Sequence, residues 1–324
     1  MQSRAGEGEF GSIRGGRGSG CGFPMRSRFL PLVLLVWGRV SGHPDHANLE
    51  AVPWTGEAPR VAITVEGDGR WIRGNGLPDH PTGAFPVRGN PNRIAPQNHA
   101  FRTPVTPRAG ERATPVGMNL FGVAVNGVVF DPGAAEWWRD ERESGWQYEA
   151  LGGGRNLGLD LEHAHVQPTG TYHYHGLPEM LLARLTAGRP RMVLVGWAAD
   201  GFPIYGPWIS PDPAAPATVR PAVTSYRLRA GERAGGPGGR HDGTYVQDWE
   251  YVPGAGDLDE CNGRWGRTPE FPEGTYHYVL TEVYPFVPRF WRGAPDASFL
   301  RRGPPPGGGK KKGKGPKGPG PGVP

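Results

Sequence analysis

The chain has 324 residues, 54 of them glycine and 37 proline, so long regular elements are excluded and short strands joined by loops are expected. Its formal charge of +5 has one source: Lys310, Lys311, Lys312, Lys314 and Lys317, the only lysines, all lie in the terminal "GGGKKKGKGPKGPGPGVP", and without them basic and acidic residues balance at 31 each. A balanced folded part carries no electrostatic footprint for DNA or RNA, which excludes nucleic acid as the expected partner.

Residues 1–24 fit no targeting pattern and read as a start-site extension, with Met25 the better initiator. Residues 25–42, "MRSRFLPLVLLVWGRVSG", run from two arginines through an apolar stretch, Phe29 to Trp37, to the small Ser41 and Gly42. That is the order of a secretory signal peptide, and the apolar stretch is shorter than the roughly 20 residues a spanning helix needs. A secreted or periplasmic protein without a transmembrane span in its mature chain is expected. Processing removes Cys21 and leaves Cys261 without an internal disulfide partner, so it is buried, metal-bound or paired with another chain.

Residues 43–60 read as a linker. In "RVAITVEGDGRWIRGNG" the alternation of Val61, Ile63 and Val65 and the turn signal Asp68-Gly69 predict a hairpin. Leu77 to Pro115 is rich in Pro, Asn and Gly and has no helical period; "NLFGVAVNGVVF" then predicts a second hairpin at Asn126-Gly127. "PGAAEWWRDERE" predicts a short helix starting after Asp131, with Pro132 in its first turn, and "PEMLLARLTAG" a second one ended by Gly188. "RMVLVGWAADGFPIYGP" reads as a buried strand and a Gly/Pro turn, and "YHYVLTEVYPFVPRFW" closes the structured part. The expected fold is mainly β, a β-rich α+β arrangement of hairpins, sandwich-like, with one or two short helices. The tail, 301–324, has little to bury and is expected to be disordered, either solubilising or in contact with anionic surfaces.

The chemistry concentrates in "EHAHVQPTGTYHYHG". Alternate side chains of a strand share a face, so His163 pairs with His165, and His173 with His175. If the chain turns at "PTG" with Gly170 left-handed, His165 opposes His173 and His163 opposes His175: four imidazoles form a square, and Ala164, Val166, Tyr172 and Tyr174 line the other, apolar face. Four neutral imidazoles suit a transition metal, copper or zinc first, rather than calcium or magnesium. An ordinary polar strand face is the plainer alternative.

Asp160 and Glu162 fall on the tyrosine side by parity and are candidate outer partners of the ligands. "ECNGRWGRTPEFPEGTYHYVL" echoes the histidine stretch, matching Glu162 to Glu260, His163 to Cys261, and Gly170–Tyr174 to Gly274–Tyr278; a duplication and a shared turn solution both account for it. His277 joins the metal set if that second hairpin faces the first, and Cys261 is either a thiolate ligand or an inert buried thiol. Asp200 before Gly201 is a turn residue or a site residue; His80 and His99 lie in loops, and of the two only His80 enters the candidate set. Asp257, Asp259 and Glu260 lack the spacing of a calcium loop, and there is no phosphate loop, nucleophile elbow or helical HExxH.

"NLGLDLEHAHVQPTGTYHYHGLP", "LVGWAADGFPIYGP" and "LDECNGRWGRTPEFPEGTYHYVLTEVYPFVPRFWRG", with "NGLPDHPTGAFP" and "GVAVNGVVFDP" before them, resemble the YHYH domain proteins, whose motif is here Tyr172, His173, Tyr174 and His175. The resemblance covers residues 61–293 and implies an exported bacterial protein, without implying a reaction. "GTYHYH" also looks like a strand of cupredoxin-type and multicopper oxidase domains, where paired HxH motifs hold copper, although a Cys-to-Met spacing is missing. The expected function is an exported metal-binding protein, its activity as a metal-dependent oxidoreductase or hydrolase left open. The alternative is a non-catalytic extracellular module that binds a carbohydrate or peptide through aromatic residues such as those of "EWWRDERESGWQY". An extracellular or periplasmic small molecule or glycan is the expected partner in either case.

Overall fold

The computed structural model describes residue 48, residues 50–212 and residues 218–301. The start-site extension with Cys21, the signal peptide, and the tail beyond Arg301 lie outside the described residues. Among the described residues no helix is long and apolar enough to cross a membrane.

The fold is mainly β, as expected. Strands β1 (Val61–Glu66) and β2 (Gly69–Gly74) form the first hairpin, and β3 (His99–Pro104) continues the sheet on the far side of β2. Glu66 pairs with Gly69, so the turn is Gly67-Asp68, with Gly67 at φ 63°, one residue earlier than Asp68-Gly69. Ile72 and Phe101 are buried, whereas Val61, Ile63 and Val65 stay 39–61% exposed, because β1 is the free edge of this sheet and lies beyond the core. Strand β4 (Ala109–Pro115) follows, then β5 (Gly122–Ala124) and β6 (Val129–Phe130), joined by the expected turn at Asn126-Gly127.

No α-helix follows Asp131. The segment forms two 3-10 turns, Trp138–Asp140 and Arg142–Ser144, with Arg139 and Asp140 at φ 59° and 58°. Its backbone groups bond outside the segment: the Ala134 carbonyl accepts from Gln147 Nε2 at 2.6 Å and the Trp138 N–H donates to Trp146 O at 2.9 Å. Tertiary partners therefore outcompete the local helical ladder.

Strands β7 (Ala164–Val166) and β8 (Tyr172–Tyr174) form the histidine hairpin, and helix α1 (Glu179–Thr186) is the second predicted helix. It ends through left-handed Ala187 and Gly188, the Gly188 N–H reaching Ala183 O at 3.0 Å. Strands β9 (Leu194–Ala198) and β10 (Pro203–Tyr205) make the next hairpin. Two small pairs come after it, β11 (Trp208–Ile209) with β12 (Arg220–Pro221) and β13 (Tyr226–Leu228) with β14 (Trp249–Tyr251). Strands β15 (Gly263–Gly266) and β16 (Thr275–Val279) form the last hairpin, and β17 (Phe290–Gly293) returns to β4. Buried aromatics dominate the main core, among them Phe121, Phe130, Tyr172, Tyr174, Tyr276, Tyr278 and Trp291, and Phe299 closes it by stacking on Phe101 at 4.5 Å.

The largest sheet runs β15-β16-β10-β9-β5-β6-β8-β7, which is a palindrome. The antiparallel hairpin β5-β6 and the hairpin β7-β8 of one half answer to β9-β10 and β15-β16 of the other, and in each half the two hairpins join by a parallel pair, β6 with β8 and β10 with β16. At the centre β5 and β9 are antiparallel, Val123 opposite Trp197, Gly122 opposite Ala198 and Ala124 opposite Gly196. A Cβ on Gly122 would stand 2.5 Å from Trp197 O and one on Gly196 2.4 Å from Val123 O, so the seam requires glycine on both sides.

The outer hairpins match in detail. Asp160 accepts from the N–H of Glu162 and Ala164 and from Tyr172 OH; Asp259 accepts from the N–H of Cys261 and Gly263 and from Tyr276 OH. His163 and Asn262 are both left-handed, at φ 52° and 53°. The His175 N–H donates to His163 O and the Val279 N–H to Asn262 O. The echo is thus part of a structural repeat of four strands, and its register in the fold matches Glu162 to Cys261 and His163 to Asn262, one residue off the pairing read from sequence.

Candidate metal site

The histidine hairpin has the anticipated register: Ala164 faces Tyr174, His165 faces His173, Val166 faces Tyr172, and Gly170 is left-handed at φ 86°. The two tyrosines are fully buried on the core side, so the imidazoles of His165, His173 and His175 meet on the other. Nε2 of His173 lies 3.0 Å from Nε2 of His175, and Nε2 of His175 lies 3.1 Å from Nε2 of His165. The rings stand 4.7–4.8 Å apart and steeply inclined to one another. Ligands about 2.0–2.1 Å from one ion are separated by about 2.9–3.4 Å at octahedral to tetrahedral angles, so the two pairs that include His175 already stand at ligand spacing.

Backbone carbonyls orient two of the rings. Nδ1 of His165 is 2.8 Å from Leu157 O and Nδ1 of His173 is 3.1 Å from Thr171 O. An Nδ1–H donating to each carbonyl turns the Nε2 lone pair into the cluster, as in metal-ligating histidines generally. Nδ1 of His175 is buried without a hydrogen-bond partner among the described residues. Burial, and then the neighbouring imidazole of His173, holds His165 down at about 3; burial holds His173 at about 4 and His175 well below the ordinary range. The cluster is therefore neutral near pH 7, the form that ligates.

His163 is not brought into the cluster. Its left-handed backbone breaks the strand alternation, and its Nδ1 sits 2.9 Å from Leu177 O instead. The square of four imidazoles is corrected to a group of three. His277 lies on β16, near the opposite end of the sheet from β8, and its Nδ1 faces Thr275 O at 3.2 Å. Asp160 makes no hydrogen bond to the three clustered imidazoles among the described residues: besides its turn bonds it accepts the Gly83 N–H, and Tyr172 OH donates to it at 2.7 Å. Glu162 accepts the Met180 N–H in the first turn of α1 at 3.0 Å, and burial pushes its carboxyl up to about 8. Asp200 accepts Tyr278 OH at 2.5 Å and the Gly293 N–H at 2.8 Å, with burial raising it to about 6; it occupies in its half the place of Asn126, which donates to Tyr174 OH at 3.0 Å. His80 bonds Tyr174 OH through Nε2 at 2.7 Å on the core side of the motif. Cys261 is a buried free thiol, raised first by burial and then by the Asp259 and Glu260 carboxylates.

Sequence reasoning missed Asp131, which served there only as a helix start. Parallel pairing of β6 with β8 draws it in: its N–H donates to Tyr174 O at 2.9 Å, and its Oδ2 lies 4.0 Å from Nε2 of His173. The carboxylate is fully buried, paired with Arg301 and accepting from Gln167 Nε2 at 3.0 Å. Burial raises its pKa and the Arg301 guanidinium opposes that rise. Its only advance signal is a pairing between strands distant in sequence.

A family profile described as YHYH protein matches residues 100–293, a span that contains all three clustered imidazoles and Asp131. No curated protein and no solved structure matches the chain.

Proposed function

The chain belongs to the YHYH protein family, and from that premise and its imidazole cluster we propose that it is an exported metal-binding protein holding one transition-metal ion, copper or zinc, on Nε2 of His165, His173 and His175. The observation that carries the reading is that Nε2 of His175 lies 3.0 Å from Nε2 of His173 and 3.1 Å from Nε2 of His165, with the ligand atoms of all three within 4.8 Å of one another. Without a cation, at least one pair of neutral rings brings lone pairs together or leaves a donor unused, at a cost of about 1–3 kcal/mol for an unsatisfied buried group. Three protein ligands leave a coordination position open, the pattern of catalytic rather than structural zinc. An ion bound there supplies Lewis acidity and a bound water acidic near neutral pH. Asp131, beside His173, is placed to accept a hydrogen bond or proton from a group at the open position, and Leu157 O and Thr171 O keep two of the rings aimed. Metal-dependent hydrolysis or oxidation of an extracellular small molecule or glycan is the activity this supports.

The test is metal content. The chain from residue 43 onward is purified without a His tag after exposure to copper and to zinc, and bound metal is measured by mass spectrometry. About one ion per chain is expected for the parent and for His163→Ala, and almost none for His165→Ala/His173→Ala/His175→Ala. Substoichiometric metal in the parent, or equal metal in the triple variant, sinks the proposal.

The reading as a binding module has its own support. Trp137, Trp138 and Trp146 are only partly buried, with Arg139 over the Trp138 ring at 4.3 Å, an amphipathic patch of the kind sugars and peptides contact. Glycan binding that survives the triple variant would favour it.

A further inference from the structure

The two-fold relation within the large sheet puts a second pocket where the first half has its imidazoles. Carried across residue by residue, His173 becomes His277, His165 becomes Arg264, His175 becomes Val279 and Asp131 becomes Tyr205. The pairings agree: Arg264 faces His277 as His165 faces His173, and Tyr205 lies beside His277, ring centroids 5.4 Å apart, as Asp131 lies beside His173. A cavity of about 10 Å³ opens at this place, lined by Met192, Ile209, Ser210, Arg264, Arg267 and His277.

These exchanges reverse the charge preference of the site. Val279 removes a metal donor, Tyr205 removes the carboxylate, and Arg264 installs a fixed cation with Arg267 next to the same cavity. Among the described residues neither arginine forms an ion pair; Arg264 Nη1 makes a 3.3 Å hydrogen bond to Ser210 O. Of the acids nearby, Asp257 is held by both guanidinium nitrogens of Arg220 at 2.6 and 2.7 Å while still attracting Arg264, and Glu270 accepts Tyr205 OH at 2.6 Å. Burial keeps the His277 ring neutral, at about 4, and because Nδ1–H faces Thr275 O, Nε2 is the acceptor of this cavity-lining ring. An anion without a proton meets that lone pair unfavourably, whereas a monohydrogen phosphate group donates its O–H to Nε2 while its other oxygens accept from arginine. The cavity admits about one water-sized atom, so one phosphate oxygen enters and the rest of the group stays at the mouth.

We propose that the Arg264–His277 pocket binds a phosphate group, as inorganic phosphate or as a phosphate monoester, so that the duplicated sheet carries a cation site in one half and an anion site in the other.

The experiment follows the His277 ring nitrogens by NMR in the full chain during titration with inorganic phosphate, phenyl phosphate and sulfate near pH 7. A saturable shift with phosphate or phenyl phosphate is expected, with sulfate at least about tenfold weaker because it has no proton to donate. The stronger of the first two ligands identifies the source as the free ion or an ester. Arg264→Gln should weaken phosphate by about tenfold and Arg264→Lys should restore part of it. The triple imidazole variant should bind phosphate as the parent does, so failure of the metal reading leaves this result intact. No saturable shift, equal response to sulfate, or an unchanged response in Arg264→Gln overturns the proposal.

Discussion

His163 marks where residue-level reading stops working. Parity assigns it to the same face as His165, and parity holds only while every residue stays in the β region; at φ 52° the side chain leaves the row. The neighbouring assignments, His165, His173 and the buried Tyr172 and Tyr174, follow from alternation alone and were legible. Asp131 was not, since nothing near it in sequence says that β6 will lie beside β8. The buried imidazoles also fix a pH response. Protons compete with a metal only as pH falls through the folded values, about 3 for His165 and about 4 for His173, instead of the usual value near 6.5. Dialysis of the loaded protein against metal-free buffers should give a release midpoint below about pH 5; release near 6.5 would mean the ion sits on exposed histidines. In the metal-free protein these lowered pKa values act in the same direction, since the unfolded chain takes up protons first, and stability falls as pH drops from about 6.5 toward about 4.

At the scale of elements, the hairpins were legible because asparagine-glycine and left-handed glycine announce them, and α1 because its apolar spacing ends in Gly188. The predicted helix after Asp131 failed because the side-chain amide of Gln147 and the backbone carbonyl of Trp146 capture its carbonyl and amide groups. The echo was visible but misaligned, because the longer second turn obscures that Asp160 and Asp259, not the glutamates, anchor the two copies. Each aspartate satisfies buried N–H groups and a tyrosine hydroxyl, so Asp160→Ala and Asp259→Ala should each cost about 2–4 kcal/mol in denaturant unfolding. Their effects on metal should differ: Asp160→Ala, which loosens the turn leading into β7, should weaken binding about tenfold, and Asp259→Ala should leave it unchanged. Equal loss of metal in both variants would show that general destabilisation, not the turn, controls the site.

For the whole molecule, the fold class was readable from composition, while the order of strands in the large sheet was not, since it depends on pairings among segments far apart in sequence, such as Gly122 with Ala198. One such long link is the contact of Arg301 with Asp131, which ties the end of the described chain to the imidazole cluster. Arg301→Gln leaves a buried carboxylate short of its counter-charge and should lower the stability of the metal-free protein by about 1–3 kcal/mol. Saturating metal should return part of that loss, because a cation on the three imidazoles again places positive charge beside Asp131. A loss unaffected by metal, measured by thermal or denaturant unfolding, would place the ion away from Asp131.

The central seam has one more consequence. Val123 faces Trp197 with Gly122 and Gly196 crossing on either side, so each half offers the other the same edge that it receives. In a homodimer such a contact would be called isologous, the same patch used twice about a two-fold axis. Here both copies of the patch lie on a single polypeptide, so they are always present in equal number, and the sequences on either side are free to diverge. The two ends of the sheet already differ, with three imidazoles at one and an arginine with a lone imidazole at the other.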